Sequence, residues 1–304
     1  MEEPLRKRRL FCLQGKLIMI KLNNPGATLF FPDDFTPEEA FAHTTHLGIG
    51  AHQDDIEIMA YHGILQCLHK KELWFGGIAC TDGRGTPGNG PYAHCTEEEM
   101  RAIRAREQNT AAAIGQYSFV AQLDYNSESI RNPVSEDLKN DLKQLLKTTS
   151  PSIIYTHNPA DKHDTHVAVC VAVIEALRES PVGDVPPTVY GCEVWRSLDW
   201  LLDADKVIMS VAGHENIANA LLGAHDSQIS SGKKYNRATV GRWLSNATFF
   251  DPRSQDIASK VSFAMDLSPL VQNPDLDISD YVQRYIERMA ADITARLDRQ
   301  LKRS

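Results

Sequence analysis

Leu47-Gly48-Ile49-Gly50-Ala51-His52-Gln53-Asp54-Asp55-Ile56-Glu57 passes from an apolar run into one histidine and three acids. An amphipathic stretch carrying Ile58, Met59, Ile64, Leu65 and Leu68 follows it. This is the pattern of a buried strand running straight into a helix, with the polar cluster at the strand's carboxyl end and in the helix's first turn. In an open α/β sheet, ligands bind at that edge. His52 and Asp55 offer an imidazole and a carboxylate that suit a Zn²⁺-like ion. Asp54, between them, is left free and is the candidate general base of a metal hydrolase.

A second cluster, His157-Asn158-Pro159-Ala160-Asp161-Lys162-His163-Asp164-Thr165-His166, also follows an apolar strand pattern and precedes a helix running from Val167 to Leu177. His163 and His166 are three apart, so both can face one side at a helix mouth. Either cluster alone reads as solvated capping residues. Two of them at equivalent strand ends read as a metal site in which His52, Asp55 and His166 are the ligands. Three protein ligands leave a fourth position for water, which is the catalytic pattern.

Outward from these clusters the chain alternates strand and helix signals. Strands are expected at 46–51, 73–81, 118–124, 152–157, 188–195 and 206–211, and helices at 55–70, 95–115, 135–149, 164–179 and 213–224. Six strands separated by helices mean βαβ units and a mostly parallel sheet, an α/β fold of the Rossmann-like, three-layer α/β/α kind. Leu17 to Ile20 and Ala27 to Phe31, with Asn23-Asn24-Pro25-Gly26 between them, predict an N-terminal β-hairpin extension, and Pro37-Glu38-Glu39-Ala40 predicts the opening of a short helix. After about residue 229 the pattern becomes irregular. Residues 280–303 then keep helical spacing, a long C-terminal helix that either packs on the domain or serves a homo-oligomer. The simplest count is one domain over 1–304, with its core at about 45–230, the hairpin extension in 1–44 and a C-terminal extension in 231–304.

The 304 residues carry a net charge of −8 and a pI near 5.8, which argues against nucleic acid as a partner. No stretch is apolar for the roughly 20 residues that a membrane span needs. Phe11-Cys12-Leu13, after a basic run, is too short for a signal peptide. The six cysteines form no CxxC pair and most fall inside apolar patterns, so a cytoplasmic protein with reduced thiols is expected. Gly83-Arg84-Gly85-Thr86-Pro87-Gly88 formally matches GxGxxG. It opens no helix, since Pro87, Gly90 and Pro91 continue the loop, so it is read as a pocket-rim loop and not as a dinucleotide site.

At these residues a family resemblance becomes specific. Ala51-His52-Gln53-Asp54-Asp55-Ile56-Glu57 resembles the Ala-His-Xaa-Asp-Asp-Xaa-Glu signature of the zinc-dependent LmbE-like (PIG-L) N-acetylglucosaminyl deacetylases. His163 to His166 is similar to that family's His-Pro-Asp-His. Arg104-Xaa-Xaa-Glu107 with Ala111-Ala112 resembles its Arg-Xaa-Xaa-Glu…Ala-Ala, and His225-Asp226-Ser227-Gln228 its late His-Xaa-Ser-Gln. The four motifs span residues 45–230 in the family's order. The resemblance implies zinc, with another divalent metal as the alternative, on His52, Asp55 and His166, and Asp54 as base. It also implies His163 beside the developing oxyanion, Arg104 in the pocket and His225 on the substrate side. Two departures stand out. Gln53 replaces a frequent proline, and Asp164-Thr165 replaces Pro-Asp, which removes the carboxylate that orients the first histidine. Asp161 and Asp164 are the two candidates to stand in for it.

Of the remaining residues, Glu57 reads as a supporting or capping carboxylate, and Arg104 with Glu107 equally as a plain i,i+3 pair. Asp124, just past a strand end, is a candidate for substrate hydroxyls. Trp195, Trp200 and Trp243 read as core side chains before sugar platforms. The expected function is removal of an acetyl group from an N-acetylated amino sugar or its conjugate, a small-molecule substrate. The alternatives are another amide hydrolase on the same metal site and a non-catalytic carbohydrate-binding relative. Metal content together with acetate release separates the three.

Overall fold

The computed structural model describes residues 11–13, 16–18, 20–33, 35–85, 89–131 and 133–301. Strands β1 (Phe11–Leu13) and β2 (Lys16–Ile18) pair antiparallel as a separate ribbon. β3 (Thr28–Phe30) and α1 (Pro37–His43) follow, with Thr36 and Glu39 forming a capping box at the start of α1. Then come β4 (Thr44–Gly50), α2 (Asp55–Met59), α3 (Tyr61–Cys67), β5 (Trp74–Thr81), α4 (Glu97–Ile114), β6 (Val120–Tyr125) and α5 (Glu136–Thr149). The next run is β7 (Ile153–His157), α6 (Asp164–Glu179), β8 (Thr188–Cys192), β9 (Val207–Ser210), α7 (Glu215–Gly223) and α8 (Asp226–Ile229). α9 (Tyr235–Thr248), β10 (Val261–Asp266), α10 (Ser268–Gln272) and α11 (Ile278–Leu301) complete it.

The main sheet has eight strands in the order β3-β6-β5-β4-β7-β8-β10-β9. β6, β5, β4, β7 and β8 are parallel. β3 runs antiparallel at one edge, and β10 lies antiparallel between β8 and β9. From β4 the chain builds outward through β5 and β6 on one side, and through β7 and β8 on the other. The winding therefore reverses between β4 and β7, and the crevice at the carboxyl ends of those two strands is the switch point of the sheet.

Alternation along the strands separates two apolar layers. Leu47, Ile49 and Ala51 join Phe41, Leu142 and Val169 on the face covered by α1, α5 and α6. Ile56, Met59, Phe75, Tyr117 and Tyr155 fill the other face, with Ala111 of α4 and Trp243 of α9. On that second face β4 presents His46, which stacks on Tyr155, and then Gly48 and Gly50. A Cβ at Gly48 would lie 2.9 Å from the Phe75 ring and 3.0 Å from the Ile56 side chain, and one at Gly50 would lie 3.0 Å from the Asp55 Cβ. The two glycines are therefore what lets α2 close down on the strand and hold Asp55 at its end.

Three elements differ from the expectation. β3 does not fold back on the strand before it. Its Leu29 and the flanking Ile20, Leu22 and Phe31 pack against the first apolar layer, and β3 pairs with β6, so the segment after Gly26 joins the main sheet. The expected helix at 55–70 is two, α2 and α3, meeting at Ala60 (φ −111°, ψ 16°). The irregular stretch after 229 holds α9, β10 and α10. α9 buries only Thr239, Trp243 and Ala247, too few apolar positions to show a helical stripe. The expected long C-terminal helix is present as α11. No helix among the described residues is long and apolar enough to cross a membrane.

His46, on β4, is buried at 5% exposure with its Nδ1 2.9 Å from the Thr45 hydroxyl. Burial, with His62 nearby, lowers its pKa from 6.5 to about 4. Between pH 6.5 and 4 the unfolded chain then binds a proton that the folded chain excludes, so this contribution is complete above pH 6.5 and is lost as pH falls toward 4. Urea unfolding of the parent should become easier over that window. His46→Gln should flatten the fall by up to about 3 kcal/mol; an identical pH slope in the variant would show that His46 is not a titrating contributor.

Candidate metal centre and active site

Strand β4 ends at Gly50, and the turn into α2 places His52, Asp54 and Asp55 in sequence at the switch point. Asp54 sits at φ 102°, a left-handed conformation that a side-chain-bearing residue adopts at a cost. The turn is fastened by the His52 N–H, which donates to Asp55 Oδ2 at 2.7 Å. From β7 and the first turn of α6 come His157, His163 and His166.

Donor atoms of His52, His163 and His166, and of Asp55, His157 and His166, lie within 4.8 Å of one another in each set. His52 Nδ1 lies 3.3 Å from Asp55 Oδ2 and 3.2 Å from His166 Nε2, and His166 Nε2 lies 3.4 Å from Asp55 Oδ2. Ligands at Zn–N and Zn–O distances of about 2.0–2.2 Å in a tetrahedron stand about 3.3–3.5 Å apart, so this triangle has the size of one tetrahedral face. The donor set therefore fits a zinc-like ion. His157 Nε2 is also 3.4 Å from Asp55 Oδ2. Its lone pair, however, accepts the Ala51 N–H at 2.9 Å, and its ring stacks on His166 at 3.9 Å, so it supports the triangle from behind. Burial opposes a charge on Asp55, but His166 and His157 outweigh it and hold its pKa well below the usual carboxylate value.

Asp54 stands beside the triangle and lines the pocket. Burial, reinforced by Asp55, pushes its pKa well above the ordinary range, so its carboxyl takes up a proton readily. His163 caps α6: its Nδ1 accepts the Thr165 N–H at 3.3 Å. In the neutral imidazole the ring proton is then on Nε2. Burial, with His52 beside it, lowers the His163 pKa and favours that neutral form. The Thr165 hydroxyl is buried without a partner among the described residues.

Of the two aspartates considered behind this cluster, Asp161 is the buried one and Asp164 is exposed. Asp161 faces the second histidine: Oδ2 is 3.6 Å from His166 Nδ1 and accepts the Trp195 N–H at 3.2 Å. Oδ1 accepts the Lys162 and His163 N–H groups. A carboxylate behind a ligating imidazole fixes its orientation and raises its basicity.

The other sequence candidates form a buried scaffold around α2. Glu57 accepts from Gln108 at 2.9 Å and from Tyr117 at 2.7 Å, and meets His225 Nε2 at 3.0 Å. His225 is 1% exposed. Burial opposes its charge, yet Glu57 prevails and raises its pKa. Arg104 and Glu107 do not pair with each other. Arg104 donates to the Gly83 carbonyl at 2.6 Å, while Glu107 takes the Ser227 N–H at 2.7 Å and the Ser227 hydroxyl at 2.6 Å. Gln228 donates to the Gln53 carbonyl. Asp124 is held by Arg101 through both carboxylate oxygens and lies outside the pocket lining.

The pocket encloses about 480 Å³. Beyond the histidine–aspartate cluster its wall comes from Val194 and Trp195 after β8 and from Lys233, Lys234, Tyr235 and Arg242 at and along α9. Trp195 is 38% exposed, whereas Trp243 is buried against Tyr61. Tyr235 and Arg242 were not singled out in the sequence, because α9 itself was not legible there.

Residues 47–177 match the family model described as PIG-L: GlcNAc-PI de-N-acetylase. The sequence matches no curated protein at significant similarity. Among solved structures, the N,N'-diacetylchitobiose deacetylase of Pyrococcus horikoshii is 16% identical with a TM-score of 0.60, the match covering 79% of this chain and 90% of that one. GalB, the 4-carboxy-2-hydroxymuconate hydratase of Pseudomonas putida KT2440, is 17% identical with a TM-score of 0.55, covering 74% and 96%. The zinc-inhibited form of teicoplanin deacetylase Orf2 is 15% identical with a TM-score of 0.52, covering 73% and 97%. At such identities the likeness is one of fold, and a fold that serves deacetylases and a hydratase leaves the reaction to the site.

Glu107 ties α4 to the first turn of α8 with two charge-assisted bonds. Glu107→Ala should cost about 1–3 kcal/mol and speed amide hydrogen exchange at Ser227. Unchanged exchange there would mean that α8 is held by other contacts.

Proposed function

We propose that this chain, whose residues 47–177 are a PIG-L (LmbE-like) domain, is a zinc-dependent N-deacetylase acting on an acetylated amino sugar or its conjugate. The observation that carries the reading is the His52–Asp55–His166 triangle with a second carboxylate, Asp54, beside it and facing the pocket. His52, Asp55 and His166 hold the ion. When bound, it supplies Lewis-acid polarisation of the acetyl carbonyl and makes water acidic enough to attack near neutral pH.

The chain's own groups do the proton work. Asp54 takes a proton from the attacking water as the water oxygen bonds to the carbonyl carbon. It then delivers that proton to the amine nitrogen as the C–N bond breaks, giving acetate and the free amine. Its raised pKa suits a group that must both accept and return a proton. Asp55 cannot share this task, because ligation and the histidines keep it a carboxylate. His163, with its proton on Nε2, donates to the carbonyl oxygen as negative charge develops there. Asp161 keeps His166 oriented. The His225–Glu57 pair braces α2 beneath Asp54.

His52→Ala, Asp55→Ala and His166→Ala should each lower bound zinc at least tenfold while circular dichroism stays native. Full zinc occupancy in any of the three would remove that residue from the ligand set. Asp54→Asn should keep stoichiometric zinc and lose on the order of 10²–10⁴ in kcat for acetate release. Turnover within a few-fold of the parent would mean that another group moves the proton.

A further inference from the structure

Gln53 stands between His52 and Asp54, and its side chain is buried at 1% exposure. The proposed chemistry gives it no part, and an apolar side chain would fill the space without burying an amide. The amide is well tied, however. Its Nε2 donates to the Thr81 carbonyl at 2.8 Å and lies 3.5 Å from Gln122 Oε1. Gln122 donates in turn to the Ala105 carbonyl and to Asn109 Oδ1 of α4, both at 2.9 Å. One side chain thus joins the turn after β4 to the end of β5 and, through Gln122 of β6, to α4.

The end of β5 is shaped around this amide. Gly83 sits at φ 66°, and a Cβ there would lie 2.3 Å from Gln53 Oε1 and 3.0 Å from Arg104 Cδ. A larger residue at 83 would therefore displace the amide. The rest of the turn is fastened peptide by peptide. The Ala51 carbonyl accepts both the N–H and the hydroxyl of Thr81 at 2.8 Å, and the Gln53 carbonyl accepts from Gln228. Asp54, at φ 102°, makes no capping bond with its own side chain, so its left-handed conformation is imposed by the peptides around it. The proline that the family resemblance puts at 53 would stiffen such a turn through its ring. Glutamine has no ring and stiffens it through bonds.

We infer that Gln53 is a positioning residue: its buried amide, seated on Thr81 and accommodated by Gly83, fixes the turn that presents Asp54 to the pocket. The part of Asp54 in turnover rests on the deacetylase reading; the rigidity of the turn does not.

Hydrogen exchange of the metal-free full chain reads the turn without any activity. The Asp55 N–H is bonded to the His52 carbonyl at 3.3 Å and the Ile58 N–H to the Asp54 carbonyl at 3.1 Å, so both amides report on it. Gln53→Met keeps the length and removes the donor. It should speed exchange at both amides about ten-fold while β7 exchanges as in the parent. Gly83→Ala should act likewise by displacing the amide, and should add little in a Gln53→Ala background, where nothing is left to displace. In the zinc-loaded chain, Gln53→Met should keep stoichiometric zinc and a KM for N-acetylglucosamine within about two-fold of the parent, and lose about ten-fold in kcat for acetate release. Gln53→Pro should recover most of that loss. Among the described residues the Gln53 N–H donates to no partner, so the ring removes no bond. Unchanged exchange in Gln53→Met, or a Gly83→Ala effect that is fully additive with Gln53→Ala, would overturn the inference. So would zinc lost together with turnover, or a proline variant no faster than the methionine one. A parent that releases no acetate ends the deacetylase reading, and the exchange results alone then decide the place of Gln53.

Discussion

One oxygen of Asp55 holds the centre together. Oδ2 accepts the His52 N–H at 2.7 Å and lies within 3.4 Å of a nitrogen on each of His52, His157 and His166. A buried carboxylate is expensive unless it is paired and hydrogen-bonded, and here the pairing is also what sets the three donor atoms at ligand spacing. For that to happen α2 must start within van der Waals contact of β4, which Gly48 and Gly50 permit. β7 must also lie next to β4, which the strand order provides. Local sequence and global topology meet at this atom.

The late His225–Gln228 segment belongs to the same construction although it is about 170 residues away. His225 reaches Glu57 in α2, Ser227 reaches Glu107 in α4, and Gln228 reaches the backbone of Gln53. The four sequence clusters are thus one hydrogen-bonded body around the turn that carries Asp54. This explains why residues with no common spacing accompany one another along the chain. It also explains why Asp54 can stay in a left-handed conformation: bonds on both sides of it determine the turn.

Most of the parallel core was legible because β4, β5, β6 and β7 are apolar runs each followed by a helix with a stripe or cap. β5, β7 and β8 each fall inside the ranges that periodicity gives, β4 starts two residues ahead of its range at Thr44, and the polar clusters after β4 and β7 could be placed at one sheet edge. Spacing alone could not show which carboxylate faces which histidine. Asp161 and Asp164 are equal candidates in one dimension, yet the turn before α6 buries Asp161 behind His166 and leaves Asp164 in solvent. Arg104 and Glu107 read as a pair at i,i+3, but each is drawn to a separate backbone partner. The pocket wall was the largest omission. α9 turns polar and aromatic side chains to the cavity and buries few apolar ones, so its helical period carries little hydrophobic contrast, and β10 is antiparallel to both its neighbours and so belongs to no βαβ unit.

The proposed zinc site takes His52, Asp55 and His166 as ligands and leaves Asp54 and His163 unligated. Zinc K-edge X-ray absorption on the zinc-loaded chain tests it most directly. The expected result is a low-coordinate site with two imidazole nitrogens and the remaining donors oxygen, all at about 2.0–2.2 Å, and the same first coordination shell in Asp54→Asn. Three or more imidazoles, or a shell that changes when Asp54 is replaced, would contradict it.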